Sequence, residues 1–473
     1  MNSHPIWSLV ERAAPRLVDL SHRVWATPET CYAERQSVAA HAEELRAQGF
    51  DVTENPAGLP TAVIGAAGSG GPVIAFLGEF DALAGLSQHA DLAEHSPLAE
   101  GANGHGCGHN LLGSAAMLAA VALRDWLQET GTPGTVRYYG CPAEEGGAGK
   151  TFMVRDGLFA DVDIAITWHP NSVPMVLRGS SLANTRVDFT FTGRAAHAAG
   201  APHLGRSALD AMELMNIGIN YLREHIPDRA RLHHAVIDGG GISPNVVQAR
   251  AKSRYVVRAQ TVPEMLGLLE RVYKVAEGAA MMTETQVQYE VLSAVSNLLP
   301  NDPLCAAMQK NCEMLGPAPF DEDDAAYAAQ FQATLLDEDI VDSYRAMGLM
   351  PQKCQVLADF VPPADTPACD MIGSTDVADV SWVVPTVQLM DATAAVGTQL
   401  HSWQMVAQGK SAVATKGMIH AAQVMAMTGV DAVLDADLRT RAWADLRARG
   451  GAEGYVCPLG PEAVPPIQAM AAE

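Results

Sequence analysis

Three short apolar runs, PVIAFLGEF (72–80), TVRYYGC (135–141) and VDIAITW (162–168), constrain the fold more than any other feature of the chain. A continuous apolar run bounded by polar or glycine-rich residues is the pattern of a strand buried on both faces, which demands cover above and below it. That cover is available. Residues 6–25 and 34–48 carry apolar positions at helical spacing, with Gly49 where a stop is expected, and LLGSAAMLAAVALRDWLQ (111–128) predicts a long, largely buried helix. VPTVQLMDA (384–392) adds a further strand, and a long helix is expected from about Gly409 to Met427. Strands alternating with helices predict an α/β sheet with helices on both faces.

Near Asn184 the texture changes. NTRVDFTFTGRAAHAAG (184–200) alternates apolar and polar residues, as a half-solvated antiparallel strand does. A helix at 205–225, two strands within 233–260, a helix at 263–282 and an alternating strand at 285–295 follow. This block predicts a compact α+β unit, 184–299, inserted into an α/β domain formed by 1–183 and 300–473. Residues 317–370, rich in Asp, Ala and Pro, give weak signals, and no internal repeat is evident.

A formal charge of −23 argues against nucleic acid as a partner, because phosphates would be repelled. No apolar run reaches the length of a membrane span, so no membrane association is expected. The opening MNSHPIWSLVERAAPRL lacks the basic and apolar regions of a secretory signal, and the eight cysteines are scattered rather than framework-spaced. A cytoplasmic location is the expectation.

Each strand of the α/β part leads into a group suited to metal chemistry: Asp81, the pair Glu144–Glu145, and His169. NGHGCGHNLL (103–112) places His105, Cys107 and His109 at alternate positions just before a helix, and His401 follows the strand near 384–390. In open α/β sheets ligands bind at the carboxyl ends of strands, so five distant segments direct polar groups toward one rim. Imidazole and thiolate are good ligands for zinc-like ions, and carboxylates complete such sets. Two ions ~3.5–4 Å apart polarise a carbonyl and lower the pKa of a shared water to about 7. Of two adjacent glutamates, one then suits proton transfer and the other ligation. Taken singly, each piece has an ordinary reading: a glycine-rich turn with incidental histidines, a solvated Glu-Glu loop, a hydrogen-bonded structural histidine. Their joint occurrence at strand ends favours the metal.

The motifs GEFDALAGLSQ, NGHGCGHNLLG, GCPAEEGGAGKTFMVRDG, TWHP, AAHAAGAPHLGRSALDA, GGGISPNVVQA, STDVADVSW and VGTQLHSWQ resemble those of the co-catalytic metallopeptidase and amidohydrolase family that includes carboxypeptidase G, aminoacylases and auxin-conjugate hydrolases. The resemblance implies an α/β catalytic domain with a mixed sheet and a di-metal site at strand ends, plus an inserted α+β lid or dimerisation domain. It implies two divalent ions per subunit, Zn2+ or Mn2+, with Cys107 bridging and His109, Glu145, His169 and His401 as the other ligands. Glu144 would be the general acid/base, and Asp81 would orient a ligand from behind. His105 matches no usual ligand. In the inserted domain His197 would reach a partner subunit's site and stabilise the oxyanion, with Asn245 near the same oxygen. Arg258 would grip a substrate carboxylate. From the residues alone these three read as a strand-edge histidine, a turn asparagine after Pro244 and a solvated arginine. Where relatives often carry DALPG, this chain has DALAG (81–85).

The expected activity is hydrolysis of an amide joining an acyl or aminobenzoyl group to an amino acid, glutamate first, by a homodimer or by a heteromer with a related subunit. A dipeptidase, an aromatic-amine aminohydrolase and a non-catalytic partner subunit are the alternatives. The paired carboxylates give a metal-dependent redox or storage protein no support.

Overall fold

A computed structural model describes residues 4–352 and 354–470. Its strands are β1 (Asp51–Glu54), β2 (Val63–Ser69), β3 (Val73–Glu79), β4 (Gly134–Cys141), β5 (Ile164–Asn171), β6 (Met175–Val176), β7 (Ala183–Thr192), β8 (Arg231–Asp238), β9 (Arg250–Ala259), β10 (Gln286–Val295) and β11 (Thr386–Ala392). They form a seven-stranded sheet, ordered β1-β2-β4-β3-β5-β11-β6, and a four-stranded sheet, ordered β10-β7-β9-β8.

The centre of the larger sheet, β4-β3-β5-β11, is parallel, and antiparallel strands close both edges. The pleat sends alternate residues of β3 to opposite cores. Ile74 and Phe76 pack with the helices Pro5–Ala26, His109–Thr130 and Ala412–Leu434. Ala75 and Leu77 pack with Phe152, Met153, Val377 and Val380 on the other face. Both faces are therefore covered, which is why these strands carry continuous apolar runs.

The smaller sheet is fully antiparallel. Val187, Phe189 and Phe191 of β7 are buried beneath the helices Ala208–Leu222 and Val262–Thr283, and these residues make a core of their own. Ser207 and Thr261 cap those two helices by accepting from Asp210 N and Glu264 N.

Some elements depart from the sequence reading. β1 and β2 lie between residues 49 and 72, where the sequence pattern predicts no strand. Residues 317–370 include the helices Glu322–Gln332 and Asp337–Ala346; the first is nucleated by Asp321, which accepts from Asp323 N and Asp324 N. The helix expected over 409–427 instead spans Ala412–Leu434, started by Ser411 accepting from Ala414 N. That helix also corrects the membrane reading, since by length and composition it could cross a bilayer. It is mostly buried in the larger core, and its Lys416 bonds Asp321 at 2.6 Å.

Candidate metal centre and substrate cavity

The glycines of NGHGCGH allow the loop to pack where no side chain fits. A Cβ on Gly104 would lie 2.2 Å from the Leu86 carbonyl oxygen. Gly108 adopts φ +75° as the residue before the helix His109–Thr130, and a Cβ there would meet Met405 and Pro170 at under 3 Å. The loop therefore presses against the His401 segment, whose amide donates to Gly106 O at 2.7 Å. His401 itself takes φ +61°, a left-handed conformation that costs a residue with a Cβ. Ala143, one residue before the glutamate pair, is left-handed too, with its amide held by buried Glu34 at 2.8 Å.

These loops bring the five expected ligands together. The donor atoms of Cys107, His109 and His169 lie within 4.8 Å of one another, as do those of Cys107, Glu145 and His401. The thiol belongs to both triads. Cys107 Sγ is 3.4 Å from His169 Nε2, and His401 Nε2 is 3.3 Å from Glu145 Oε2. Asp81 stands behind the set: its carboxylate accepts from His109 Nδ1 at 2.9 Å and from the Glu145 amide at 2.9 Å. With Nδ1 donating to Asp81, His109 turns Nε2 inward, the nitrogen that a metal would take.

A divalent pair fits this constellation. His109 Nε2 and Glu145 Oε1 are buried, have no hydrogen-bond partner and face each other at 4.0 Å. Two electron pairs in that arrangement suit a cation between them. Burial and the Glu145 charge push the Cys107 thiol well above its usual range, so a thiolate here requires a cation beside it. His105 is not part of the set; its buried ring bonds the Val24 carbonyl at 3.0 Å.

The centre opens into a cavity of about 310 Å³. Glu144 lines it, and burial together with Glu79, Glu145 and Asp376 holds its carboxyl well above the ordinary carboxylate range. Arg258 of β9 also lines the cavity and donates to Ser374 Oγ at 2.9 Å. Asn184 of β7 pairs with Arg258, and its buried Oδ1 has no partner. Arg186, two residues along the same strand face, lines the cavity and packs on Gly146. The two guanidinium groups are near enough that Arg186 joins burial in lowering the Arg258 pKa.

His197 and Asn245 are not brought into the cavity. Both are exposed, in loops of the smaller sheet, where Ala198 N donates to Asn245 O and His197 Nδ1 accepts from two amides. Sequence reasoning missed Arg186 and three groups behind the centre: Glu79, Lys150 and Asp376. Lys150 is wholly buried, with Nζ 2.6 Å from both Glu79 Oε1 and Asp376 Oδ1.

The family model for peptidase family M20/M25/M40 matches residues 75–352, which include four of the five expected metal ligands, all but His401. The chain belongs to that family. As a member it is a metal-dependent hydrolase of amide bonds. It is 45% identical to one of the subunits of p-aminobenzoyl-glutamate hydrolase from Escherichia coli K12, over 96% of this chain and 97% of that protein. Xaa-Arg dipeptidase of Mus musculus is 32% identical, covering 66% of this chain and 72% of that protein. Among solved structures of the M20 fold, an aminobenzoyl-glutamate utilization protein from Klebsiella pneumoniae superposes with a TM-score of 0.54 at 20% identity. It covers 70% of this chain and 91% of its own. A dinuclear metal binding peptidase of the M20 family from Bacillus subtilis gives 0.51 at 18% identity, covering 88% and 99%.

Proposed function

We propose that the enzyme hydrolyses the amide between a p-aminobenzoyl or related acyl group and glutamate. One observation carries the reading: a two-triad ligand set and a pair of arginines line one cavity. That pairing of groups suits a substrate that carries both an amide and negative charge. The 45% identity to the Escherichia coli protein supports glutamate as the amino acid.

Cys107, His109, Glu145, His169 and His401 would hold two divalent ions, zinc or manganese. When bound, the ions supply Lewis acidity toward the amide carbonyl and acidify water. Glu144 accepts a proton from the attacking water as its oxygen bonds the carbonyl carbon. It returns that proton to nitrogen as the C–N bond breaks, leaving a carboxylic acid and a free amine, between which the remaining water proton then settles to give carboxylate and ammonium. A carboxyl with a raised pKa suits the second half of this cycle. Arg258, its guanidinium steadied by Ser374, and Arg186 bind carboxylate. Asp81 keeps His109 in the tautomer that presents Nε2. His197 and Asn245, outside their own cavity, are assigned to a partner's site in a homodimer, or in a heteromer with a related subunit. All eight cysteines are free thiols, which supports a reducing cytoplasm.

The test is full-length protein reconstituted with Mn2+ or Zn2+ and incubated with p-aminobenzoyl-glutamate, with and without chelator. Chelator-sensitive release of glutamate is expected; no release from this substrate or from other N-acyl amino acids would refute the proposal.

A further inference from the structure

Glu79 is the last residue of β3, wholly inside the protein, and its two oxygens face different neighbours. Oε1 lies 2.6 Å from Lys150 Nζ. Oε2 is buried without a hydrogen-bond partner and points at His109 Nε2, 3.3 Å away, which is also unpartnered. His109 Nδ1 donates to Asp81, so the Nε2 atom that faces Oε2 is the ring nitrogen left to coordinate a metal once deprotonated. The Glu144 carboxylate is close as well: donor atoms of Glu79, His109 and Glu144 all lie within 4.8 Å of one another.

Charge points the same way. Lys150 supplies one positive charge, and Asp376 takes it through both the ammonium, at 2.6 Å, and the Lys150 amide, at 2.8 Å. Glu79 shares that single ammonium, so the buried group of one lysine and two carboxylates carries a net negative charge on the side facing the metal ligands. Buried charge of that kind is tolerated where a cation meets it.

From this juxtaposition, and resting on the two-ion reading above, we infer that Glu79 is a sixth protein ligand, binding through Oε2 the divalent ion held by His109. Lys150 and Asp376 are its positioning residues. They hold Oε1, fix the carboxylate plane and leave Oε2 aimed at the ion. An added hard, anionic oxygen on the His109 side also shifts that site's preference from zinc toward manganese.

The experiment uses the metal-stripped full-length enzyme and its Glu79→Gln variant, an isosteric change that removes the anionic donor. Mn2+ is titrated by calorimetry, and Co2+ is loaded for its visible absorption spectrum. Wild type should take two Mn2+ ions. The variant should bind one of them at least tenfold more weakly while keeping the other, and its Co2+ bands should shift. Equal affinity for both ions with an unchanged Co2+ spectrum would overturn the inference. It would leave the hydrolase reading standing, since wild-type stoichiometry and chelator-sensitive turnover are measured in the same preparation. Should the variant not fold, anomalous diffraction from the Mn-loaded wild type decides. An ion within about 2.0–2.4 Å of Glu79 Oε2 supports ligation, and a clearly longer separation refutes it.

Discussion

The paired arginines make a quantitative claim about substrate choice. Arg258 has one guanidinium nitrogen committed to Ser374, which leaves the rest of its fork for a ligand, and Arg186 stands over Gly146 on the same side of the cavity. If glutamate's two carboxylates are divided between them, each arginine contributes a charge-assisted contact worth roughly 1.5–3 kcal/mol. That corresponds to about ten- to hundred-and-fifty-fold in kcat/KM. The perturbation is Arg186→Met and Arg258→Met, each assayed on N-(p-aminobenzoyl)-glutamate and on the glutamine analogue, which lacks only the side-chain charge. Wild type should prefer glutamate by about that factor. One variant should lose the preference, because the carboxylate its arginine reads is the one glutamine lacks. The other should keep the preference and lose kcat/KM on both substrates alike. A wild type that treats the two substrates equally, or two variants that both retain full preference, would refute the division of labour.

Glu144→Gln should lower kcat by about 10²- to 10⁴-fold while two ions remain bound by elemental analysis; loss of the ions instead would make Glu144 a ligand. Mixing Glu144→Gln protein with His197→Ala protein should restore activity that neither has alone, if each cavity borrows His197 from a partner; no recovery after subunit exchange would place His197 outside catalysis. Buried His41 has its pKa lowered to about 3 by burial and then by Arg23, and buried His105 to about 4 by burial and then by His109. Between each of those values and about 6.5 the unfolded chain binds protons that the folded chain refuses, so stability is complete above pH ~6.5 and falls as pH drops. Each group contributes at most about 1.4 kcal/mol per pH unit. Urea unfolding of His41→Gln between pH 4.5 and 7.5 should show a shallower slope than wild type, and an identical slope would contradict the assignment.

What could be read from the sequence was local. A strand covered on both faces announces itself as an apolar run, so β3, β4, β5 and β11 were legible, and so were the polar groups that follow them. β7 and β10 were legible from the alternation of apolar and polar residues, although only Thr192 of β7 is fully exposed and the last four residues of β10 are all buried. The short edge strands β1 and β2 were not, because an edge strand such as Asp51–Glu54 is mostly exposed and needs no apolar run. The helices of 322–346 were hidden by their composition, although D-x-x-D at Asp321–Asp324 was a usable cap signal. Lys150, Glu79 and Asp376 escaped because a buried ion cluster is a property of three distant positions at once. The one hint was a lysine set between glycines and the apolar TFMV, where a solvated side chain is out of place. Arg186 sat in a strand whose alternation assigned its polar residues to solvent, and that assignment failed at the end of β7 that abuts the cavity and again at buried Asp188, which pairs with Lys252 and Arg254.

The way the smaller sheet joins the larger body limits how the two can move. β7 leaves the cavity and β10 returns to it as hydrogen-bonded neighbours, Asn184 against Val295 and Arg186 against Ser293, with a register shift between Val291 and Ser293. The connection is therefore a two-stranded ribbon and not a pair of independent tethers: it resists shear and bends most easily at its irregularity. Asn184 and Arg186 lie on the cavity side of that irregularity, so a bend there moves the far part of the sheet while both side chains keep their places in the cavity wall.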